Sequence, residues 1–385
     1  MIETTAIAVQ PLWNRSLEWE LRLTMVAEAK HFLYVSIYYI EYDEYGTAFL
    51  NALEDACRRR VAVNLLLDGF GQTLGGVVMN DSTKRALAGH LNRLRAAGAT
   101  ITHYRPPQLM QRRLGGGQHV KIQVSEQGEA LFGSSNVTGA SYTQWHEFSV
   151  AVRGPIVRTL LESYRTIGGT VKDTHLQVLG NTAQAGMTEV SLRYWCCNPN
   201  LGQGWSGPLG WRGPNEVTNL MKQMLDAARE RVCLTAFYFK PIPTLIRAME
   251  AAAHRGVRVE VYHSHCDALE ATNLAWIAAA ASYDRLLAAG IHIFEHRRGE
   301  HSKIVLIDDA WVAFGSYNFE DAAHDRLAEA MIDTHDTALV REARSIFESL
   351  SADPAQEAVR PHFRRNLSVQ LRLQLAIMRH FKRWM

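Results

Sequence analysis

Two short segments of the sequence each carry a histidine, a lysine two positions later and a carboxylate five positions after the lysine. The members are His119, Lys121 and Glu126 in the first segment and His301, Lys303 and Asp308 in the second. Lysine supplies a full positive charge and three hydrogen-bond donors, and an imidazole can take or release a proton near neutral pH. The doubled pattern therefore predicts that both segments contribute catalytic side chains to one phosphoryl-binding site.

Further polar residues follow each histidine at matching distances: a serine after 15 residues, an asparagine after 17 and a glutamate after 28. The pairs are Ser134 and Ser316, Asn136 and Asn318, and Glu147 and Glu329. The hydroxyl and amide groups predict additional donors that bind the substrate. The glutamates predict carboxylates that each orient one imidazole and stabilise its cationic form, as in a catalytic triad.

Two histidines around one phosphoryl group can divide the work of a displacement reaction. One imidazole attacks phosphorus and forms a phosphohistidine, while the other protonates the leaving alkoxide and then deprotonates the incoming alcohol or water. Lys121 and Lys303 supply fixed positive charge for the transition state. The site needs no metal ion for this chemistry, and we expect no metal and no cofactor.

The repetition itself favours function. A single His-x-Lys pair on a strand is most often a solvated edge, and Gly-Ser pairs are ordinary turn residues. Here the whole set occurs twice, with the two histidines 182 residues apart. Chance does not plausibly place such a set at equal intervals in two halves that also repeat in pattern.

The elements around the motifs repeat as well. Each half begins with a helix pattern and a continuous apolar run, residues 32–40 and 232–239, and a second helix pattern leads to another apolar run, residues 61–68 and 257–264. Continuous apolar runs joined through helices are typical of buried parallel strands. The pattern predicts an α/β fold with two pseudo-symmetric halves, each a mostly parallel sheet flanked by helices.

These patterns divide the chain into four parts. They are a first half over residues 1–175, a Gly- and Trp-rich joint over 176–215, a second half over 216–355 and a basic C-terminal helix over 356–385. The joint is either a linker or a loop that covers the active site, since its tryptophans need something to pack against.

The composition is that of an ordinary globular protein, with 47% apolar residues, 21% charged residues and a net charge of +2. A near-neutral chain lacks the basic field of most nucleic-acid-binding proteins, so a nucleic-acid partner is disfavoured. No stretch is apolar and long enough to span a bilayer. The first residues have no secretory signal pattern, and we expect a cytoplasmic protein with reduced cysteines.

The C-terminal segment combines a basic stripe with an apolar stripe. Seven Lys and Arg residues and no acid lie between Ala358 and Met385. On a helix, one face carries the apolar residues Leu367, Leu371, Leu375 and Met378. Such a helix predicts peripheral contact with the inner face of a membrane. The alternative is that the apolar face packs on the protein and the arginines are solvated.

The doubled motif resembles the His-Lys-Asp signature of the phospholipase D superfamily. Four segments, SIYYIEYDEYG, LLLDGFG, WHEFSVAVRGPIV and HSKIVLIDDAWVAFGSYNFE, resemble bacterial cardiolipin synthases and related phosphatidyltransferases. The resemblance covers nearly the whole chain. It implies a pseudo-two-fold α/β/α/β/α sandwich with the site between the halves, a covalent phosphohistidine and no metal. Glu126 departs from the signature, which has Asp there, and this puts the exact substrate class in question more than the chemistry.

The resemblance also implies that the first half supplies the nucleophile, which is then His119. The sequence around the histidines agrees with this assignment. Three glycines, residues 115–117, come just before His119 and allow a substrate to approach closely. Charged residues, among them Arg298 and Glu300, precede His301 and suit a group that exchanges protons.

Three classes of function follow from these patterns. The first is phosphatidyl transfer or phospholipase D activity on a phospholipid, with an alcohol or water as acceptor. The second is cleavage or transfer of a phosphodiester in a soluble metabolite or a nucleic acid. The third is a non-catalytic phosphate-binding relative, for which Glu126 is the sole argument. We expect the first.

Overall fold

A computed structural model describes residues 1–180, 189–201, 214–269 and 273–381. Most of the Gly- and Trp-rich part of the predicted joint, residues 202–213, lies outside these described residues. Lys382, Arg383 and Trp384 also lie outside them.

The first half of the chain alternates strands and helices. Its strands are β1 (Ile2–Ala6), β2 (Ala8–Leu12), β3 (Phe32–Ile37), β4 (Ala62–Asp68), β5 (Thr100–Tyr104), β6 (Gly117–Gln118), β7 (Lys121–Ser125), β8 (Glu129–Gly133) and β9 (Ser149–Arg153). Its helices are α1 (Arg15–Glu28), α2 (Glu44–Arg58), α3 (Gly69–Val78), α4 (Asp81–Ala96), α5 (Leu109–Arg113), α6 (Gly139–Thr143), α7 (Pro155–Thr166) and α8 (Asp173–Gly180).

The second half repeats this order. Its strands are β10 (Val190–Cys197), β11 (Arg231–Ala236), β12 (Arg258–Ser264), β13 (His292–His296), β14 (Ile304–Ile307), β15 (Trp311–Gly315), β16 (Leu327–Thr334) and β17 (Gln356–Ala358). Its helices are α9 (Glu216–Ala227), α10 (Pro243–His254), α11 (Leu274–Ala280), α12 (Tyr283–Ala288), α13 (Asp321–Asp325), α14 (Thr337–Ala352) and α15 (Val369–Phe381), with 3₁₀ turns at Cys266–Ala268 and Phe363–Asn366.

The two sheets have the same strand order. The first runs β2-β9-β8-β7-β3-β4-β5, and the second contains the matching series β10-β16-β15-β14-β11-β12-β13. This confirms the predicted α/β fold with two pseudo-symmetric halves. The sheets are mixed rather than mostly parallel, because only β3-β4-β5 and β11-β12-β13 are joined through helices in parallel. The motif strands β7 and β14 pair antiparallel to their neighbours.

Two strands cross the predicted boundaries. β1 belongs to the second sheet, where it pairs with β10, and β10 lies within the predicted joint and pairs with β16. Part of the joint is therefore neither a linker nor a loop. Residues 190–197 form a strand of the second sheet, between β1 and β16. In addition, the short β6 of the first half pairs in parallel with β16 of the second.

A shared core joins the halves. Side chains from both sheets pack with α7 and α14 in one buried cluster, and the rings of Phe148 and Phe314 lie 5.3 Å apart edge to face. Because this contact joins the residue just before β9 of one sheet to β15 of the other, burial of the apolar faces fixes how the motifs meet.

The apolar stripe of the C-terminal helix, which was predicted to contact a membrane, packs on the protein instead. Leu375 is fully buried, and Leu367, Leu371 and Met378 pack against the core of the second half. The apolar stripe is thus the face by which α15 covers α11, as the packing alternative predicted, and membrane contact by the rest of the helix stays a prediction. Among the described residues, the structure contains no helix whose length and apolar character would let it cross a bilayer.

Candidate active site

The two motif histidines lie at the entrances of equivalent strands. His119 precedes β7 and His301 precedes β14. Each is held by a backbone hydrogen bond across the halves: the His119 amide donates to the carbonyl oxygen of Ala328 at 2.8 Å, and the His301 amide donates to that of His146 at 2.8 Å. Because both carbonyls belong to the residue just before a predicted orienting glutamate, each histidine is brought to the glutamate of the other half.

The glutamates consequently pair with the histidines in a crossed manner. His301 Nδ1 lies 2.7 Å from Glu147, and His119 Nδ1 lies 3.1 Å from Glu329. The equal spacing of 28 residues in the sequence does not reveal this crossing. A complete site therefore requires both halves.

The surroundings of His119 determine its tautomer. Its Nδ1 lies 3.0 Å from the carbonyl oxygen of Ser316, which can only accept a hydrogen bond. Nδ1 must therefore carry the proton, and the lone pair of the neutral imidazole is on Nε2. Burial, together with the charges of Lys121 and Lys303, lowers the pKa of His119 well below its ordinary value. His119 is a neutral imidazole with a free nucleophilic nitrogen.

The surroundings of His301 favour a group that exchanges protons. Its ring stacks on Trp145 with centroids 5.0 Å apart and meets Phe237 edge-on at 4.7 Å. Burial lowers the pKa of His301 to about 4, although Glu147 acts in the opposite direction. The carboxylate stabilises the imidazolium when His301 takes a proton during a reaction.

The two glutamates have opposite protonation preferences. Burial acts against ionisation of Glu147, but His301, Lys303 and Ser134 hold its pKa down to about 2. Burial raises the pKa of Glu329 to about 8, against the opposing effect of Lys121. The carboxylate beside His301 is therefore ionised at neutral pH, whereas the one beside His119 is largely protonated.

Lys121 and Lys303 lie with the histidines in the buried centre of the molecule. The Nζ of Lys121 donates to the carbonyl oxygen of His119 at 2.7 Å, and Lys303 donates to the carbonyl of His301. Burial, with mutual repulsion between the two ammonium groups, lowers the pKa of Lys121 well below its ordinary value, and burial lowers that of Lys303 to about 8. Two cations kept close together favour an anionic ligand between them.

The four predicted substrate-binding residues separate into two kinds. Ser134 donates to Glu147 and Ser316 donates to Glu329, so both serines orient the glutamates, and substrate binding by these serines stays a prediction. Asn136 and Asn318 do line the pocket that contains the histidines. The Asn318 side-chain oxygen accepts from the Phe237 amide at 3.2 Å. This hydrogen bond fixes the orientation of the side-chain amide, with its NH₂ group turned away from Phe237.

The carboxylates of the two motifs do not join the site. Glu126 accepts from the amides of Lys30 and Phe32 at 2.6 and 3.1 Å. Asp308 accepts from three consecutive amides, those of residues 229–231, at 2.8 to 2.9 Å. Both lie past the far end of the motif strand, about 16 Å from the lysine at its start, because a strand rises about 3.3 Å per residue. The structure thus places both carboxylates away from the histidines, where they secure the loop before β3 or β11, and their catalytic role stays a prediction.

The histidines open into one cavity of about 160 Å³ between the halves. Sequence reasoning missed most of its walls, which are aromatic or acidic. The missed residues include Tyr38, Tyr39, Glu41, Trp145, Phe237, Tyr238 and Glu320. One signal was available, because aligning the repeated strands β3 and β11 puts Tyr38 opposite Phe237 and Tyr39 opposite Tyr238.

Comparison with known proteins places this geometry in a family. The family described as "Cardiolipin synthase, PLD-like domain" matches residues 23–166 and 221–351. The chain is 24% identical to cardiolipin synthase B of Escherichia coli over 91% of its own length and 81% of that protein. It is 24% identical to cardiolipin synthase B of Salmonella typhimurium over 86% of its length and 77% of that protein.

A solved structure shows the same fold. Phosphatidylserine synthase from Haemophilus influenzae superposes with a TM-score of 0.71 at 13% identity, covering 98% of this chain and 95% of that one. The fold and the family match agree over both halves. The chain belongs to the cardiolipin synthase family of phospholipase D-like domains.

Proposed function

We propose that this protein transfers a phosphatidyl group from a phospholipid to an alcohol or to water through a covalent phosphohistidine. The observation that carries the proposal is the pair of crossed histidine–glutamate contacts on the wall of one cavity. Membership in the cardiolipin synthase family supports a phospholipid as the phosphodiester. The names of the relatives, cardiolipin synthase and phosphatidylserine synthase, support transfer to an alcohol over hydrolysis.

In the first step, His119 is the nucleophile. Its Nε2 lone pair forms a bond to phosphorus, and the bond from phosphorus to the head-group oxygen breaks. Burial keeps His301 neutral in the free protein, and the negative charge of the bound phosphodiester raises its pKa, so that it takes up a proton with the substrate. As the imidazolium, His301 then gives this proton to the head-group oxygen, and the head group leaves as a neutral alcohol. Glu147 stabilises the imidazolium before the transfer.

In the second step, the acceptor hydroxyl takes the place of the leaving group. His301, now neutral, removes the proton of the hydroxyl as its oxygen bonds to phosphorus and the phosphorus–His119 bond breaks. Lys121 and Lys303 stabilise the extra negative charge on the phosphoryl oxygens in both transition states. The chain's own side chains thus supply the nucleophile, the acid–base group and the positive charge.

A phospholipid substrate requires contact with a membrane, and we place the protein peripherally on its inner face. The predicted means of contact, the apolar stripe of α15, is used for packing on the second half. The outer side of this helix still exposes Val369, Leu373 and Ile377. A separate surface, described in the next subsection, lies beside the catalytic cavity.

The test is to incubate the purified protein with phosphatidylglycerol vesicles and identify the products by mass spectrometry. Transfer gives cardiolipin and glycerol, whereas hydrolysis gives phosphatidic acid and glycerol. We expect turnover to persist in excess EDTA, since Lys121 and Lys303 provide the positive charge. The proposal is wrong if the protein cleaves nucleic acid or a soluble phosphodiester and leaves every phospholipid intact.

A further inference from the structure

Helix α3 presents its large apolar side chains to solvent. Phe70 is 36% exposed, Leu74 41%, Val77 60% and Val78 38%. The buried side of the helix is made of Gly71, Gly75 and Gly76 instead. This is the reverse of an ordinary surface helix, which buries its apolar stripe and exposes its polar one. Four exposed apolar side chains on ten residues mark an interaction surface.

The glycine side of α3 packs directly on the catalytic cavity. A side chain at Gly71 would come within 2.6 Å of Tyr38, and one at Gly75 within 2.4 Å of Tyr39, and both tyrosines line the cavity. Leu74 and Val78 also reach the cavity from this helix. The helix is thus a thin wall with the reaction on one side and solvent on the other.

The start of α3 is tied to the catalytic segment. Asp68 caps the helix by accepting from the amides of Phe70 and Gly71 at 3.0 and 2.7 Å, and it also accepts from the amide of Gln118 at 2.8 Å. Gln118 directly precedes His119. The exposed surface therefore keeps a defined position relative to the nucleophile.

The chain segment that carries α3 is mostly basic. Residues 69–118, from α3 to the residue before His119, contain seven Lys and Arg and one acid, Asp81. The matching segment of the second half, residues 265–300, contains three Lys and Arg and five acids. Of the cations in the first segment, Arg105 and Arg112 line a hollow together with Phe70. Positive charge beside an apolar helix complements an anionic lipid surface.

An apolar hollow adjoins the same helix. A cavity of about 570 Å³ lies between α3 and α4, lined mainly by apolar groups, among them Val77, Met79, Leu87 and Leu91. Two cationic side chains, Lys84 and Arg95, also line it. Apolar lining with positive charge fits the region where lipid chains meet anionic head groups.

In the second half, the helices that correspond to α4 are covered by the chain itself. There α15 and the turn before it lie over α11 and α12: Phe363 contacts Trp276 and Tyr283, with ring centroids 6.1 and 5.1 Å apart. In the described part of the chain, α3 and its neighbours have no such cover, as their exposure shows. Over the residues that the structure describes, the apolar side of α3 is therefore open.

From these observations we infer that α3, with the basic residues around it, is the surface by which the protein docks on an anionic phospholipid bilayer. Phe70, Leu74, Val77 and Val78 enter the interface, and the surrounding Lys and Arg residues contact lipid head groups. The inference deepens the proposed function, on which it rests, because docking here brings a lipid head group to the cavity behind α3. A nucleic acid fits less well, since its phosphates do not favour exposed aliphatic side chains.

Flotation on vesicles tests the docking surface with the full-length protein. The vesicles contain phosphatidylglycerol and phosphatidylcholine in equal parts. Phe70→Gln with Val77→Gln removes two exposed apolar side chains of α3 that do not line the catalytic cavity. Leu373→Gln with Ile377→Gln is the matched control, because it removes two similarly exposed side chains of α15. Thermal unfolding of each variant verifies that the fold is retained.

We expect the α3 variant to lose vesicle binding by about tenfold or more, and the α15 variant to bind within about twofold of the unchanged protein. Binding should weaken with added salt and on vesicles of phosphatidylcholine alone. Equal flotation of the α3 variant and the unchanged protein would overturn the inference. So would an equal loss in the α15 variant, or binding of duplex DNA without binding of vesicles.

Turnover separates this inference from the proposed function. On a monomeric short-chain phosphatidylglycerol, which needs no docking, the α3 variant should match the unchanged protein, and on vesicles it should fall about tenfold. If the unchanged protein turns over no phospholipid at all, the proposed function fails while flotation still reports docking. An equal loss on both substrates would overturn the docking surface, since the defect would then lie in catalysis.

Discussion

His119 and His301 occupy equivalent positions in the two halves, yet their Nδ1 atoms meet different partners. His301 faces Glu147, which is ionised and lies 2.7 Å away. His119 faces the Ser316 carbonyl at 3.0 Å and the largely protonated Glu329 at 3.1 Å. A repeated sequence has thus produced two unequal histidines, one suited to attack and one suited to carry a proton.

The two halves also differ outside the active site, in how much of their surface the rest of the chain covers. The second half is covered by the C-terminal helix, whereas the first exposes α3 beside the cavity. The half that holds the proposed nucleophile is therefore also the half with the proposed lipid-docking surface. The sequence repeat thus supplies the candidate catalytic groups in pairs. The differences between the two copies favour a different role for each histidine.

The largest effect should come from removing either histidine. His119→Ala and His301→Ala should each lower turnover of a natural phospholipid by at least about 10⁴-fold, because each removes a step that the other histidine cannot perform. The measurement is product formation by mass spectrometry, with thermal unfolding as the control for folding. Either single variant with near-normal turnover would contradict the two-histidine mechanism.

The two glutamates allow a sharper comparison. Glu147→Gln should lower turnover by about 10³-fold, because it removes the negative charge that stabilises the His301 imidazolium. Glu329→Gln should cost only about tenfold, because glutamine resembles the protonated carboxyl already present beside His119. The comparison uses kcat for both variants at one neutral pH. Equal losses would mean that the two histidine environments are equivalent in function.

The opposite pKa shifts of these glutamates also predict a dependence of stability on pH. The pKa of Glu329 is raised from 4.5 to about 8, so the folded state binds the extra proton and stability falls as pH rises from about 4.5 to 8. Glu329→Gln should reduce this fall by an amount on the order of a few kcal/mol. Glu147, lowered to about 2, contributes stability that is present above pH 4.5 and is lost toward pH 2.

Denaturant unfolding between pH 5 and 8 measures the effect of Glu329. Compared with the unchanged protein, Glu329→Gln should lose less stability as the pH rises, while Glu147→Gln should follow the unchanged protein. If all three curves run parallel through this range, the carboxyl of Glu329 is not protonated in the folded state.

The smallest effect on turnover should come from the motif carboxylates. Glu126→Gln and Asp308→Asn should each lower the free energy of unfolding by about 1–3 kcal/mol, because each removes a charged acceptor of backbone amides. Asp308→Asn should cost more, since Asp308 accepts from three amides and Glu126 from two. At a temperature where both variants remain folded, kcat should stay within about twofold of normal. A large loss of kcat at unchanged stability would mean that these residues do take part in catalysis.

The sequence predicted the fold class and most of the catalytic cluster, and the failures have identifiable physical reasons. The histidines and lysines are informative because their types and spacing occur twice. The crossed pairing of the glutamates was invisible, since it depends on backbone bonds between halves such as that from His119 to Ala328. The positions of Glu126 and Asp308 follow from strand length alone, and the strand rise would have predicted them correctly.

The C-terminal helix shows a different limit. An amphipathic pattern predicts that one face of a helix is covered but does not tell what covers it. In α15 the cover is the second half of the same chain, with Leu375 fully buried. The exposed apolar side of α3 escaped notice because glycines at 71, 75 and 76 hide its packing side from any hydrophobic pattern.

We propose that the two histidines are unequal and that His119 is the nucleophile. The most direct measurement is mass spectrometry of the covalent intermediate. His301→Ala is mixed with a phosphatidyl ester of 4-nitrophenol, whose leaving group needs little protonation, and the reaction is quenched and digested. We expect phosphatidyl label on the peptide that contains His119. No label there, together with label on the His301 peptide in His119→Ala, would contradict it.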